Sequence, residues 1–353
     1  MPEPRYSVAD LSTFAASLFR AVGLRPDRAA IVAEVLVEGD LMGHSTHGLQ
    51  LAPRHLDAIR TGVVAREGEP HIIADSGAAL TWDGCWLPGP WLVRMAMSAA
   101  FDRISHHPVV TVVIRRSGHI GCLAAYPRLA VEKNLMMLLM SSDSSVRNVA
   151  PFGAVEGRYT PNPIAAGWPT DADPVILDTC PSTTTTGMIR RMSHTGQRFP
   201  GPWLIDSTGQ PSDDPAVASG TGGGAILPLG GIDLGHKGFA LGLMVEALTA
   251  ALCGFGRADG IEQDGAAVFL QMIDPNAFGG LDAFRRETAW LAESCRTATP
   301  RPGGDPVRMP GARGLALRKS QLQDGVVLHP DTRATLDTCA REARIPFPSP
   351  IAE

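Results

Sequence analysis

Histidine, lysine and paired arginines mark the places in this sequence where chemistry can be done. His119 lies in Ser117-Gly118-His119-Ile120-Gly121, directly after an apolar, β-branched run and before a helical one. Ligand sites in α/β proteins gather at the carboxyl ends of strands. An imidazole there can give or take a proton near neutral pH, although the same residue would also suit a surface or helix-capping role. His44 and His47 are three residues apart in Gly43-His44-Ser45-Thr46-His47-Gly48. This spacing could set two imidazoles on one face for a metal, but no Glu lies between them and no third ligand is near in sequence, so no metal is assigned. Lys237, between His236 and Gly238, reads as a helix start that could hold a phosphate or carboxylate, or as a solvated lysine. Arg190 and Arg191 suit either a cofactor phosphate or an exposed face. The run from Gly220 to Ala225 is the nearest approach to a dinucleotide-binding Gly-x-Gly-x-x-Gly. It sits in a Gly/Pro/Asp-rich stretch and opens no helix, so it reads as a glycine loop.

Composition narrows the possible classes. The 353 residues suffice for a full hydrophobic core, and 44% of them are hydrophobic. The net charge of -5, with acids and bases mixed, gives no basic stripe for nucleic acid. Of 31 basic residues only Lys133, Lys237 and Lys319 are lysine, which draws attention to each of them. The six cysteines are far apart and form no Cys-x-x-Cys pair, so neither a zinc ribbon nor a disulfide framework is expected. No signal peptide is evident, and the most apolar stretch, 239–253, is short for a membrane span and carries Glu246. The expected location is the cytoplasm.

Periodicity supplies the elements that must position these residues. Helices are expected from Ser7, from Pro26 to about Leu41, and from Leu49 to Arg60. Strands are expected at 108–114, 135–140, 174–177 and 266–273. Further helices are expected at 122–133, after the Thr-rich segment beyond Asp178, from Lys237 to Leu252, at 278–296 and at 329–345. The pattern is α/β with a helical N-terminal part.

Taken in order, these segments resemble the malate/L-lactate dehydrogenase type 2 family. Asp40 to Gly48 resembles its Asp-x-x-Gly run ending in Ser-His-Gly, and 117–121 its Asn-His-Phe-Gly. Val149 to Gly153, Asn162-Pro163, Leu177-Asp178 with Ser182 and Gly187, Asp206 with Asp214-Pro215, Pro228 to Gly231, Lys237-Gly238-Phe239 and Met309-Pro310-Gly311 complete the series. The resemblance implies an α/β fold with a non-Rossmann, NAD(P)-binding mixed sheet and a helical substrate-covering domain. The division it suggests is 1–75, completed by the C-terminal segment, then 76–125 with 300–353 for substrate and dimer contacts, and 126–299 for cofactor. It implies a homodimer that interconverts a 2-oxo acid and a 2-hydroxy acid by hydride transfer with NAD or NADP, His47 or His119 carrying the proton. Reduction of a cyclic imino acid and a catalytically inactive ligand binder are the alternatives. Cofactor contacts implied are Ser142, Asp178, Thr179, Cys180, Pro181, Lys237, Pro310, Gly311 and Ala312.

The departures from the family pattern concern the substrate. Thr46 replaces Ser, and Leu51 stands where an Arg often pairs with the substrate carboxylate. Thr160-Pro161 replaces Gly-Thr, Ala312 replaces Glu, and the 144–148 loop is longer. Thr46, Arg54 and Arg147 are therefore the expected substrate contacts, with one of the arginines taking over from Leu51 or the substrate itself being different.

Overall fold

The computed structural model describes residues 4–219 and 222–351. The N-terminal helices form where the apolar spacing places them: α1 (Val8–Ala21), α2 (Pro26–Leu41) and α3 (Ala52–Arg60). Ser7 caps α1 by accepting the Asp10 N–H at 3.3 Å, and Pro26 opens α2, where its missing N–H costs nothing. A two-residue strand, β1 (Arg5–Tyr6), pairs with β12 (Val326–Val327) and brings the C-terminal segment back to the N-terminus. The last helix, α10 (Pro330–Ala343), then packs with α1 to α3 around Leu11, Phe14, Leu18, Phe19, Leu36 and Leu336.

A second core forms around one seven-stranded sheet. Its strands are β2 (His71–Asp75), β3 (Ala79–Asp83), β4 (Val109–Ser117), β5 (Met136–Ser142), β6 (Ile164–Trp168), β7 (Val175–Thr179) and β11 (Ala266–Ile273), in the order β2-β3-β4-β11-β5-β6-β7. Helix α4 (Gly89–Arg103) connects the parallel neighbours β3 and β4 and covers the sheet with Trp91, Leu92, Val93 and Met97. The sheet takes strands from both sides of the division expected at residue 125.

Register decides what this sheet can do. β4 and β5 both pair antiparallel with β11, and β5 and β7 both pair antiparallel with β6. Therefore β4, β5 and β7 run in one direction. Ser117 opposite Ala266, Ser142 opposite Ala267, and Thr179 opposite Ile164 put their carboxyl ends on one edge.

The expected helix at 122–133 is broken. A single 3-10 turn (Leu123–Ala125) and the short α5 (Pro127–Val131) stand there, because Pro127 has no N–H to continue the hydrogen-bond ladder from the preceding turn. Helix α6 (Thr186–Thr195) follows the Thr-rich segment, capped by Thr185. A small sheet of β8 (Leu204–Ile205), β9 (Pro211–Ser212) and β10 (Ala225–Ile226) occupies the irregular stretch. Gly222 to Gly224 lead into β10 rather than into a helix, while Gly220 and Thr221 of that run lie outside the described residues. Helix α7 begins at Gly231 and runs to Glu246, so Lys237 lies inside it and not at its start. Helices α8 (Leu281–Arg296) and α9 (Ala312–Asp324) precede β12 and α10, and α9 is entered through Gly311 in the left-handed region.

Candidate active site

The turn carrying His47 is built by Asp40 at the end of α2. Its buried carboxylate accepts the Leu49 N–H at 2.6 Å. Gly48 allows this approach, since a Cβ there would collide with the same carboxylate. Burial raises the Asp40 pKa to about 7, against the Leu49 hydrogen bond and the nearby Arg191 charge, which lower it. His119 leaves the carboxyl end of β4 with its Nδ1 accepting the Gly121 N–H at 3.1 Å. Gly89 at the start of α4 has no side chain to strike the carbonyls of Gly118 and His119, so the helix can back this segment directly.

These two segments bring three imidazoles together. The rings of His47 and His119 stack with centroids 6.2 Å apart, and His55 from α3 meets His119 edge-on at 5.8 Å. His47 and His119 remain partly accessible, whereas His55 is buried behind them with its Nε2 unpartnered. Burial lowers the pKa of His47 and of His55 to about 4 and pushes that of His119 well down, with Arg54 adding to each shift. All three rings are neutral at pH 7. Because Nδ1 of neutral His119 accepts a hydrogen bond, its proton sits on Nε2.

The implied substrate residues fare differently. Thr46 Oγ1 lies 3.0 Å from His47 Nδ1, a pair whose donor depends on the tautomer. Arg54 is closed by Asp264, with Nε–Oδ2 at 3.1 Å and Nη2–Oδ2 at 2.6 Å. Behind it Asp264 meets Asp143, whose pKa burial and that neighbouring carboxyl raise to about 6. Arg147 is exposed on its loop and makes no side-chain hydrogen bond among the described residues.

The implied cofactor residues fall at the carboxyl ends of β5 and β7 and, for the 310–312 turn, on the flank of β7 near its start. The Ser142 hydroxyl turns inward to Thr249 at 2.7 Å, leaving only its backbone at the edge. Asp178 accepts the Ala124 N–H at 2.9 Å and so holds the turn beyond His119. Thr179 and Cys180 follow at the rim, and the Pro181 carbonyl accepts the Leu229 N–H at 3.0 Å. Leu229 in turn accepts from Gly238, which sets Lys237 beside this strap. Pro310 accepts the Ile176 N–H, and a Cβ on Gly311 would strike Ile176. The turn 310–312 therefore lies against β7.

Several site residues were not singled out from sequence. His55 and Asp264 carry no local motif, Asp40 stood out only as the first residue of a landmark run, and Cys122 was noted only for lacking a paired cysteine. His44 groups with Cys122 and Asp178, their ligand atoms all within 4.8 Å of one another, and not with His47. Only contact across the fold assembles this set.

Three imidazoles thus cluster beyond the carboxyl end of β4, beneath the N-terminal helices of an α/β fold, in an arrangement suited to moving a proton. Residues 6–337 match the model of the malate/L-lactate dehydrogenase family, and the chain belongs to that family. It is 29% identical to the L-lactate dehydrogenase of Cupriavidus necator over 98% of this chain and 99% of that one. The solved malate dehydrogenase of Entamoeba histolytica shares the fold, with a TM-score of 0.91, 23% identity, and coverage of 98% of this chain and 100% of that one. The delta1-piperideine-2-carboxylate reductase of Pseudomonas syringae superposes with a TM-score of 0.83 at 26% identity, covering 95% and 99%. The protein is an oxidoreductase of this family. No helix among the described residues is long and apolar enough to cross a membrane.

Proposed function

We propose that this protein interconverts a 2-oxo acid and a 2-hydroxy acid with NAD or NADP in the cytoplasm. The stacked pair His47–His119 at the end of β4 carries the reading, since both rings are partly accessible and lie beside the candidate cofactor edge. Residues 126–299 are proposed to hold the cofactor, and 1–75 with the C-terminal segment to cover the substrate. Ser142 through its backbone, Thr179 to Pro181, Lys237 and the 310–312 turn would hold the cofactor. The 310–312 turn is held on β7 by close packing, since a Cβ on Gly311 would strike Ile176.

A bound nicotinamide supplies the hydride in reduction and takes it up in oxidation. The protein's share is the oxygen and its proton. His119, with its proton on Nε2, is proposed to donate a hydrogen bond to the substrate oxygen and stabilise developing negative charge. His47 is proposed to carry the proton, because Thr46 can either donate to its Nδ1 or accept from it as the ring's charge changes. Likeness to the piperideine-carboxylate reductase supports C=N reduction as the second reading. Assays of NADH and NADPH oxidation with 2-oxo acids and with cyclic 2-imino acids separate the two. Turnover on the oxo acids is expected, turnover on imino acids alone would replace the first reading by the second, and absence of cofactor binding would refute both.

A homodimer is proposed as well. Helix α7 packs inward through Gly235, Gly238 and Gly242, leaving Ile232, Leu234, Leu241, Leu243 and Met244 outward and up to about half exposed. Large apolar side chains spread around the exposed sides of a helix favour cover by a partner. Paired Leu241→Glu and Leu243→Glu substitutions are expected to halve the mass measured by light scattering. An unchanged dimer would rule out this face as the interface.

A further inference from the structure

Leu51 cannot bind a carboxylate, and Arg54 already faces Asp264. A different cation stands over the His47 turn. Arg190 points to solvent, whereas Arg191, on the next position of α6, turns inward. Its Nη2 donates to Gln50 Oε1 at 2.6 Å and to Ser45 Oγ at 3.2 Å. Gly187, one helical turn earlier on the same face, sets α6 close upon Thr46: a Cβ there would lie 3.8 Å from Thr46 Cβ. Arg191 thus spans the turn that bears His47 on both sides, Ser45 before it and Gln50 after it.

The state of this guanidinium is unusual. It is partly buried and makes no ion pair among the described residues; its hydrogen-bond partners are a hydroxyl and an amide oxygen, while the Asp40 carboxylate that feels its charge is held by the Leu49 N–H. Its Nε is buried with no hydrogen bond at all. A desolvated guanidinium with unused donors favours an anion, and the planar fork matches a carboxylate with two parallel hydrogen bonds.

We propose that Arg191 anchors the substrate's carboxylate, the function that Leu51 and Arg54 cannot serve here. This rests on the hydroxy-acid reading and adds to it the residue that fixes which end of the substrate is held. Gln50 positions the guanidinium until a carboxylate takes its place. The ligand class is a 2-oxo or 2-hydroxy acid with a free C1 carboxylate beside the oxygen that His47 and His119 serve.

The test uses the full-length protein loaded with NADH or NADPH, with oxamate as an unreactive carboxylate probe, followed by calorimetry and steady-state kinetics. Arg191→Met is expected to weaken oxamate and lower kcat/KM by about 10²- to 10³-fold, largely through KM, with cofactor affinity unchanged. Arg191→Lys should recover part of the loss, because it restores charge without the fork. Gln50→Glu is the second variant. It closes the untouched Arg191 with a fixed carboxylate and should weaken oxamate similarly, with the melting temperature of all variants checked against wild type. Unchanged oxamate affinity in both Arg191→Met and Gln50→Glu would overturn the anchor while leaving the dehydrogenase reading intact. Failure of the wild-type protein to bind either cofactor would overturn that reading and the anchor with it.

Discussion

His47→Ala is expected to lower turnover by about 10²- to 10⁴-fold while cofactor affinity stays within a few-fold of wild type, as befits loss of a proton carrier. His119→Ala should lose a comparable amount through the missing hydrogen bond to the substrate oxygen. The two differ in pH dependence. Burial lowers the His47 pKa to about 4, and the charges of His44, Arg54 and Arg191 add to the shift. Oxidation needs the neutral base, so kcat/KM for a hydroxy acid should hold from neutrality down to about pH 5. It should then fall as the pH passes about 4. The His119→Ala variant keeps this limb, because His47 is still present, and His47→Ala loses it. Reduction needs the imidazolium, so its rate should rise as the pH is lowered. A substrate carboxylate beside His47 and Arg191 would offset the local positive field and raise the imidazole pKa toward the working range. A limb that survives in His47→Ala would move the proton to another group.

The second large effect is expected from one added methyl group. Gly48→Ala places a Cβ against the buried Asp40 carboxylate, the group that holds the Leu49 N–H and with it the His47 turn. Asp40 is buried in the last turn of α2, so its carboxylate can move aside only by giving up the Leu49 N–H. The methyl must displace the carboxylate, the turn, or both. Overpacking with a lost buried hydrogen bond costs about 2–4 kcal/mol, and the displaced His47 no longer meets His119. Thermal melts should therefore show a clear loss of stability, and turnover should fall at least a hundredfold, in line with the cost of a misplaced reacting group. Gly279→Ala is the control: no atom lies within 4 Å of a Cβ there, and its backbone is not left-handed, so neither stability nor activity should change appreciably. A Gly48→Ala protein that melts and turns over like wild type would show that the Asp40 contact does not hold the site.

Local sequence was enough for elements whose signal is self-contained. Pro26 to Leu41, the β-branched strand leading into Ser117, and 266–273 are each decided by periodicity, a cap or a proline within a few residues, and the structure places them as expected. Order along the chain sufficed for the family, because its landmark segments recur in the right sequence from Asp40 to Gly311. Broken helicity at 122–133 was also written locally, in Pro127, where apolar spacing misleads. The start of α7 was hidden by the glycines Gly230 and Gly231, which discourage an isolated helix, although Gly230 here packs tightly against Leu234 and Gly235 in the helix's first turn.

The site itself needed the tertiary fold. His55 lies on α3 and meets His119 only because α3 packs over the end of β4; no spacing along the chain encodes that contact. Ser142 and Asp178 sit at the expected strand ends, yet which of their groups point outward was settled by Thr249 and Ala124, far away in sequence. Arg54 and Arg191 are alike as residues, a positive charge on a helix near a histidine. What separates them is that Asp264 forms an ion pair with one, while the other hydrogen-bonds only neutral oxygens. Residue type determined the charge, and long-range packing decided whether that charge was already satisfied.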